Sequence, residues 1–266
     1  FKDNGLPANT TVNTVTFTTH LYPGTPAGTI AIEAEDFDYA SGQTVAAANT
    51  MPYLGGAYSN LVPVLGVDYQ DNGNDDGVEY YRTNLRPNNP NMNGNLGGRL
   101  GADRGNWTVT TNYKIGWTGA GDWYNYTRIF PAGAYEVYAA LSHDSATTGN
   151  ENNRASLDRV TAGVGTATQT LQALGVFRAP GSGGWGQNRL VPLTVAVGDP
   201  QKVVLNLSGT ATLRLNADSG DLDYLLFVPT GAAPPPEFTS VVINANGSIT
   251  VTWEGDGVLE AAPDVT

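Results

Sequence analysis

The chain has 266 residues, with 13 basic and 25 acidic side chains, and a formal net charge of −12. Only 14% of its residues are charged, against about 25% in an average globular protein, and Gly, Asn, Thr and Ser supply the polarity instead. Absence of cysteine excludes disulfides, thiolate metal sites and cysteine nucleophiles, and an acidic chain without a basic cluster speaks against nucleic acid and anionic lipid as partners.

A hydrophobic content of 40% suffices for a packed core. No apolar run approaches the roughly 20 residues of a membrane helix. The composition reads as a secreted, extracellular protein, and a start at Phe1 without Met reads as a processed or trimmed chain.

In chain order, residues 1–28 form a Thr-rich extension with one alternating run, Thr11–Phe17, that predicts a strand. A body follows over 29–231. Inside it, 82–112 is a long Asn-, Pro- and Gly-rich insertion. Alternating runs at Tyr135–Leu141, Arg189–Val197, Val203–Leu207, Ala211–Leu215 and Leu222–Val228 predict strands, and no run shows helical spacing. Short strands with Gly-rich turns predict an all-β sandwich, jelly roll or barrel. A stiff Pro-rich linker spans 232–236. Beyond it, 237–266 holds two alternating runs around Asn244–Gly247, a hairpin that reads as a fragment of a further β domain.

Catalytic signatures are thin. The two histidines, His20 and His143, stand beside no nucleophile elbow, and there is no phosphate loop or dinucleotide fingerprint. The 25 acids offer many carboxylate pairs, so a glycoside hydrolase or lyase is one alternative. A structural subunit of an extracellular filament or matrix is another, because the terminal strands offer edges for strand addition.

Two features point to binding. Ile32-Glu33-Ala34-Glu35 predicts two carboxylates on one strand face, and Asp223 lies in the apolar run Leu222–Phe227. If the first and last strands are neighbours, Glu33, Glu35 and Asp223 could share a calcium ion; spacing alone supports a solvated Glu pair equally well. Asp71–Gly77 imitates an oxygen-rich loop but lacks the closing Glu, and reads first as a solvated turn. Trp185 stands in Gly181-Ser182-Gly183-Gly184-Trp185-Gly186-Gln187, where it either packs on its own loop or offers a flat stacking surface to a sugar ring.

The series Ile32–Asp38, Val67–Asp71, Tyr81–Thr83, Ile115–Tyr126, Ala132–Val137, Gly184-Trp185 and Leu222–Phe227 resembles the family 6 carbohydrate-binding modules over about residues 29–229. The resemblance implies a non-catalytic β-sandwich jelly roll that binds a polysaccharide or oligosaccharide, carried on a larger secreted polypeptide with catalytic or β domains appended. It implies structural calcium on Glu33, Glu35 and Asp223. It implies stacking of one sugar ring between Trp117 and Trp185, and core positions for Trp123 and Tyr126. Many members have an Asn two residues before the last-strand Asp. Here that position is Asp221, expected to accept bonds from sugar hydroxyls and to repel uronic acids and sulfated sugars. A neutral polysaccharide is therefore the expected ligand.

Overall fold

A computed structural model describes residues 26, 28–40, 61–72, 92–93, 113–145, 152–231, 237–243 and 249–254, with backbone only for 92–93, 237–243 and 249–254. The predicted Thr11–Phe17 strand, the acidic run beyond Asn72, most of the 82–112 insertion and the Pro-rich linker lie outside the described residues. The chain divides into two compact units, Thr25–Ala232 and a second built from Phe1–Gly24 with Ala233–Thr266.

All described regular structure is β. The strands are β1 (Ile30–Glu33), β2 (Tyr69–Gln70), β3 (Met92–Asn93), β4 (Tyr113–Lys114), β5 (Trp123–Ser142), β6 (Asn153–Ala162), β7 (Thr170–Ala179), β8 (Arg189–Thr194), β9 (Val204–Ser219), β10 (Asp221–Pro229), β11 (Glu237–Ile243) and β12 (Ile249–Glu254). In the second unit, β11 and β12 pair antiparallel, the hairpin expected around Asn244–Gly247.

In the main unit the hydrogen-bonded order is β1-β10-β5-β8-β7-β6-β9, with β2 on β5 and a return pairing of β9 to β5. All of these strand pairings are antiparallel. The result is the all-β sandwich of jelly-roll class. Strand β5 serves both layers. Its first part pairs with β9 from Trp123↔Asn216 to Glu136↔Val204, and its last part lies between β10 and β8. The register breaks between Phe130 and Gly133. Pro131, which has no N–H for the ladder, sits in that break.

Period-two alternation builds the core. Tyr135, Val137, Ala139 and Leu141 of β5 face Leu205, Leu207, Ala211, Leu213, Leu215 and Ala217 of β9 within one buried cluster. Each fully buried large apolar side chain contributes about 1.5–3 kcal/mol. The intervening Tyr138 and Ala140 join Ala31, Tyr224, Leu226 and Val228 in a second buried cluster on the other face. The predicted strands Val203–Leu207 and Ala211–Leu215 are one continuous strand, because Gly209 at φ 68° carries the pairing across the gap opposite Phe130.

In β10 the register shifts between Leu222 and Tyr224, leaving Asp223 as an extra residue. This bulge keeps Leu222 in the main core beside Leu225 and Phe227, although strict alternation would turn it outward. One expectation is corrected. Trp123 and Tyr126 are three residues apart on one strand, so they cannot both face inward. Tyr126 and Tyr124 are core residues, whereas Trp123 is half-buried on the opposite face under the Arg214 guanidinium, 3.6 Å from its ring centroid.

Candidate functional site

Two loops and two strand ends meet at one end of the sandwich. The segment after β4 runs antiparallel to the β9–β10 corner, with the amides and carbonyls of Ile115 and Leu222 exchanging two 2.8 Å bonds. This brings Trp117 beside Asp221. Trp117 adopts φ 63°, a left-handed conformation that costs a non-Gly residue about 1–2 kcal/mol. Its amide donates to Asp221 Oδ1 at 3.1 Å, and the neighbouring Thr118 hydroxyl donates to the Gly220 carbonyl. Trp117 is 69% exposed.

The second loop joins β7 to β8. The His143 carbonyl accepts the amides of Gly183 and Gly184 at 3.1 Å each, and the Ser182 hydroxyl accepts the His143 amide at 2.9 Å. Gly181 is required there, since a Cβ would fall 1.8 Å from the Ser145 carbonyl oxygen. Folded back in this way, the loop leaves Trp185 40% exposed, with one side of its ring tilted against His143 at 4.8 Å between centroids. Trp185 thus both packs on its surroundings and presents surface.

A buried ion pair lies beneath the two tryptophans. Lys114, at the end of β4, is fully buried, and its ammonium stands 2.5 Å from Asp221 Oδ2. The same ammonium donates to Ser142 Oγ at 3.1 Å and to the Trp185 carbonyl. Ser142 Oγ also donates to the Trp185 carbonyl, at 2.9 Å. Asp221 is 5% exposed. Burial pushes its carboxyl above the usual carboxylate range, and the Lys114 charge, the bond to Lys114 and the Trp117 amide pull it back. The expectation of an open Asp221 carboxylate is therefore revised: each of its oxygens is engaged within the protein, and its negative charge is neutralised by Lys114. Electrostatic rejection of anionic sugars by Asp221 loses its basis, because the field of a paired charge falls off steeply.

Lys114 was not anticipated from the sequence. A signal existed, since the chain has three lysines and this one interrupts Tyr113-Lys114-Ile115 just before Trp117. A buried Asp at 221 also needed a cation.

The three acids expected to hold calcium are all buried. Strands β1 and β10 are neighbours, as that expectation required, with Glu33 opposite Tyr224 and the Ala34 amide donating 2.7 Å to the Asp223 carbonyl. The predicted shared face is corrected, however. Strand β1 ends at Glu33, and Glu35 lies in the turn closed by the 2.9 Å bond from the Asp36 amide to the Glu33 carbonyl. Alternation therefore does not place Glu33 and Glu35 side by side. Among the described residues, no three His, Cys, Asp or Glu side chains gather closely enough to hold one metal ion. One neutral oxygen is nearby. Asn188, fully buried, donates to Asp223 Oδ2 at 2.5 Å, and its own Oδ1 has no hydrogen-bond partner among the described residues.

No protein-family model matches the chain, and no curated protein matches it. Solved structures that resemble it include family 6 carbohydrate-binding modules. A β-1,3-glucan-binding module from Bacillus halodurans is 23% identical, with a TM-score of 0.33, over 46% of this chain and 80% of that one. A module from Clostridium stercorarium, solved in complex with cellobiose, is 20% identical, with a TM-score of 0.31, over 45% of this chain and 76% of that one. The C-terminal module of a marine laminarinase from Zobellia galactanivorans is 18% identical, with a TM-score of 0.33, over 75% of this chain and 98% of that one.

Proposed function

We propose that this chain is a non-catalytic module that binds a polysaccharide, neutral because a chain of net charge −12 disfavours anionic sugars, with Trp117 and Trp185 as stacking surfaces. The observation that carries the reading is the pairing of two exposed indoles with a rigid, buried support. An exposed Trp in a left-handed conformation costs stability, and such strain persists where the surroundings over-determine it, characteristically at ligand sites. Sugar rings present apolar C–H faces that suit flat indoles. A shallow exposed site gives modest affinity per module, and linkage to further domains of a secreted polypeptide would raise it through effective concentration.

Calcium belongs to this proposal as a structural ion near the meeting of β1 and β10. Glu33, Glu35 and Asp223 are buried there, and although their side chains do not close on one point, a carboxylate from among them is the kind of oxygen calcium takes. Calcium accepts neutral oxygens readily, so Asn188 Oδ1 and backbone carbonyls suit it as ligands alongside that carboxylate. The ion would stabilise the fold and take no part in sugar contact.

The test is a polysaccharide and oligosaccharide array, run with and without calcium, on the wild-type chain and on Trp185→Ala. Binding to a neutral glucan, xylan, mannan or galactan that disappears in the variant supports the reading. A folded wild-type protein that binds none of them overturns it.

A further inference from the structure

We propose that Lys114 is the positioning residue that couples the two aromatic surfaces, so that one buried ammonium sets the geometry of both. This inference rests on the reading of Trp117 and Trp185 as sugar platforms. It adds a residue that touches no ligand and has no role in that reading.

A lysine ammonium has three N–H groups. In this site they meet three acceptors: Asp221 Oδ2, Ser142 Oγ and the Trp185 carbonyl. Each acceptor leads to a platform. Asp221 fixes Trp117 through the amide bond to its other oxygen. The Trp185 carbonyl is bound directly, and again through Ser142. The ammonium also lies 6.0 Å from the Trp185 ring centroid, so the indole feels its charge.

Lys114 itself is fully buried, which excludes a direct role in sugar contact. Its position on β4 gives it reach to strand β5 at Ser142, to the corner at Asp221 and to the β7–β8 loop at Trp185. Loss of the ammonium leaves Asp221 buried without its ion-pair partner, which disturbs Trp117, and removes one of the two donors on the Trp185 carbonyl at the same time. A residue that merely filled space would disturb its neighbours by volume, with no reason to reach Trp117 through a carboxylate.

The test uses the full chain without ligand first. Indole N–H signals of Trp117, Trp185 and Trp123 are followed by two-dimensional ¹H–¹⁵N NMR. Lys114→Met should move the Trp117 and Trp185 signals and leave that of Trp123 in place. The double variant Lys114→Met with Asp221→Asn carries no unpaired buried charge and keeps an oxygen for the Trp117 amide. There the Trp117 signal should return to its wild-type position while that of Trp185 stays displaced. If the single variant does not fold, the double variant decides. A Trp185 signal at the wild-type position, or displacement of Trp123 as large as that of the platforms, overturns the coupling. Titration with a neutral glucan oligosaccharide should show Lys114→Met bound about tenfold more weakly, the scale of one charge-assisted hydrogen bond lost. The two ideas fail separately. A wild-type chain that binds no glycan, with indole signals displaced as described, removes the platform reading and leaves the coupling. Glycan binding with undisplaced signals removes the coupling alone.

Discussion

The Lys114 ammonium stands 2.5 Å from the Asp221 carboxylate, out of solvent, between the backbone of Trp117 and the backbone of Trp185. Breaking a buried pair from one side costs about 3–5 kcal/mol, while replacing both partners is often near neutral. The pair therefore fixes the two indoles without adding much to net stability.

Strain at Trp117 gives a prediction of opposite sign for stability and binding. Trp117→Gly relieves the left-handed penalty and should stabilise the fold by up to about 1 kcal/mol, the glycine's own chain entropy offsetting part of the gain. Urea denaturation measures the first effect and glycan titration the second, where binding should be lost. A variant less stable than wild type would contradict the strain.

A second prediction concerns Asp38. Burial raises its carboxyl to about 7 against the pull of the Thr127 hydrogen bonds and the Arg128 charge. It accepts the Thr127 amide at 2.7 Å and the Thr127 hydroxyl at 2.5 Å. Between about pH 4 and about pH 7 the folded chain holds a proton that the unfolded chain releases, so this group's contribution to stability grows as the pH falls and is lost as it rises through about 7. Asp38→Asn should flatten that dependence. Carboxyl NMR should place the Asp38 midpoint near 7, and a midpoint near 4 would contradict the assignment.

Calcium gives a third. With calcium at about a hundred times its dissociation constant, linkage adds about 3 kcal/mol over the chelated protein. Scanning calorimetry in calcium and in EDTA should separate the two melting curves, and Asp223→Asn should bring them together. Superimposable wild-type curves would contradict a structural ion.

Arg214 gives a fourth. Its guanidinium stacks on Trp123, donates to Asn125 Oδ1 at 3.1 Å and donates to Gln169 Oε1 at 2.6 Å. A lysine cannot stack or fork in this way, so Arg214→Lys should cost about 1–2 kcal/mol in urea denaturation. An unchanged midpoint would make the stacking incidental.

Much of the fold was legible because period-two alternation leaves a direct trace. Tyr135, Val137, Ala139 and Leu141 announce an inward face, and the structure buries all four. Reading failed where geometry departs from a regular strand. Glu35 follows Glu33 at the spacing of one face, but β1 turns after Glu33. Trp123 sits beside core residues in sequence and faces away from them in space, because neighbouring side chains alternate. The two strands read on either side of Ser208–Thr210 are one, because only the partner strand shows that the pairing continues.

The site was legible in its aromatics and not in its support. Trp117 and Trp185 stand among small and polar residues that mark them as exposed, and both are. The union of Lys114 with Asp221 joins distant parts of the chain through tertiary pairing alone. Asp221 is legible in the sequence as an acid where many family 6 modules carry Asn. Its cation could be found only once the segment after β4 was laid against the β9–β10 corner.

The most direct measurement is isothermal titration of the wild-type chain, Trp117→Ala and Trp185→Ala with the neutral oligosaccharide that binds best in the array. The proposal predicts saturable binding to wild type and none detectable to either variant, with all three proteins folded. Wild-type affinity retained in both variants would show that the sugar, if bound, does not rest on these two indoles, and would contradict the proposed site.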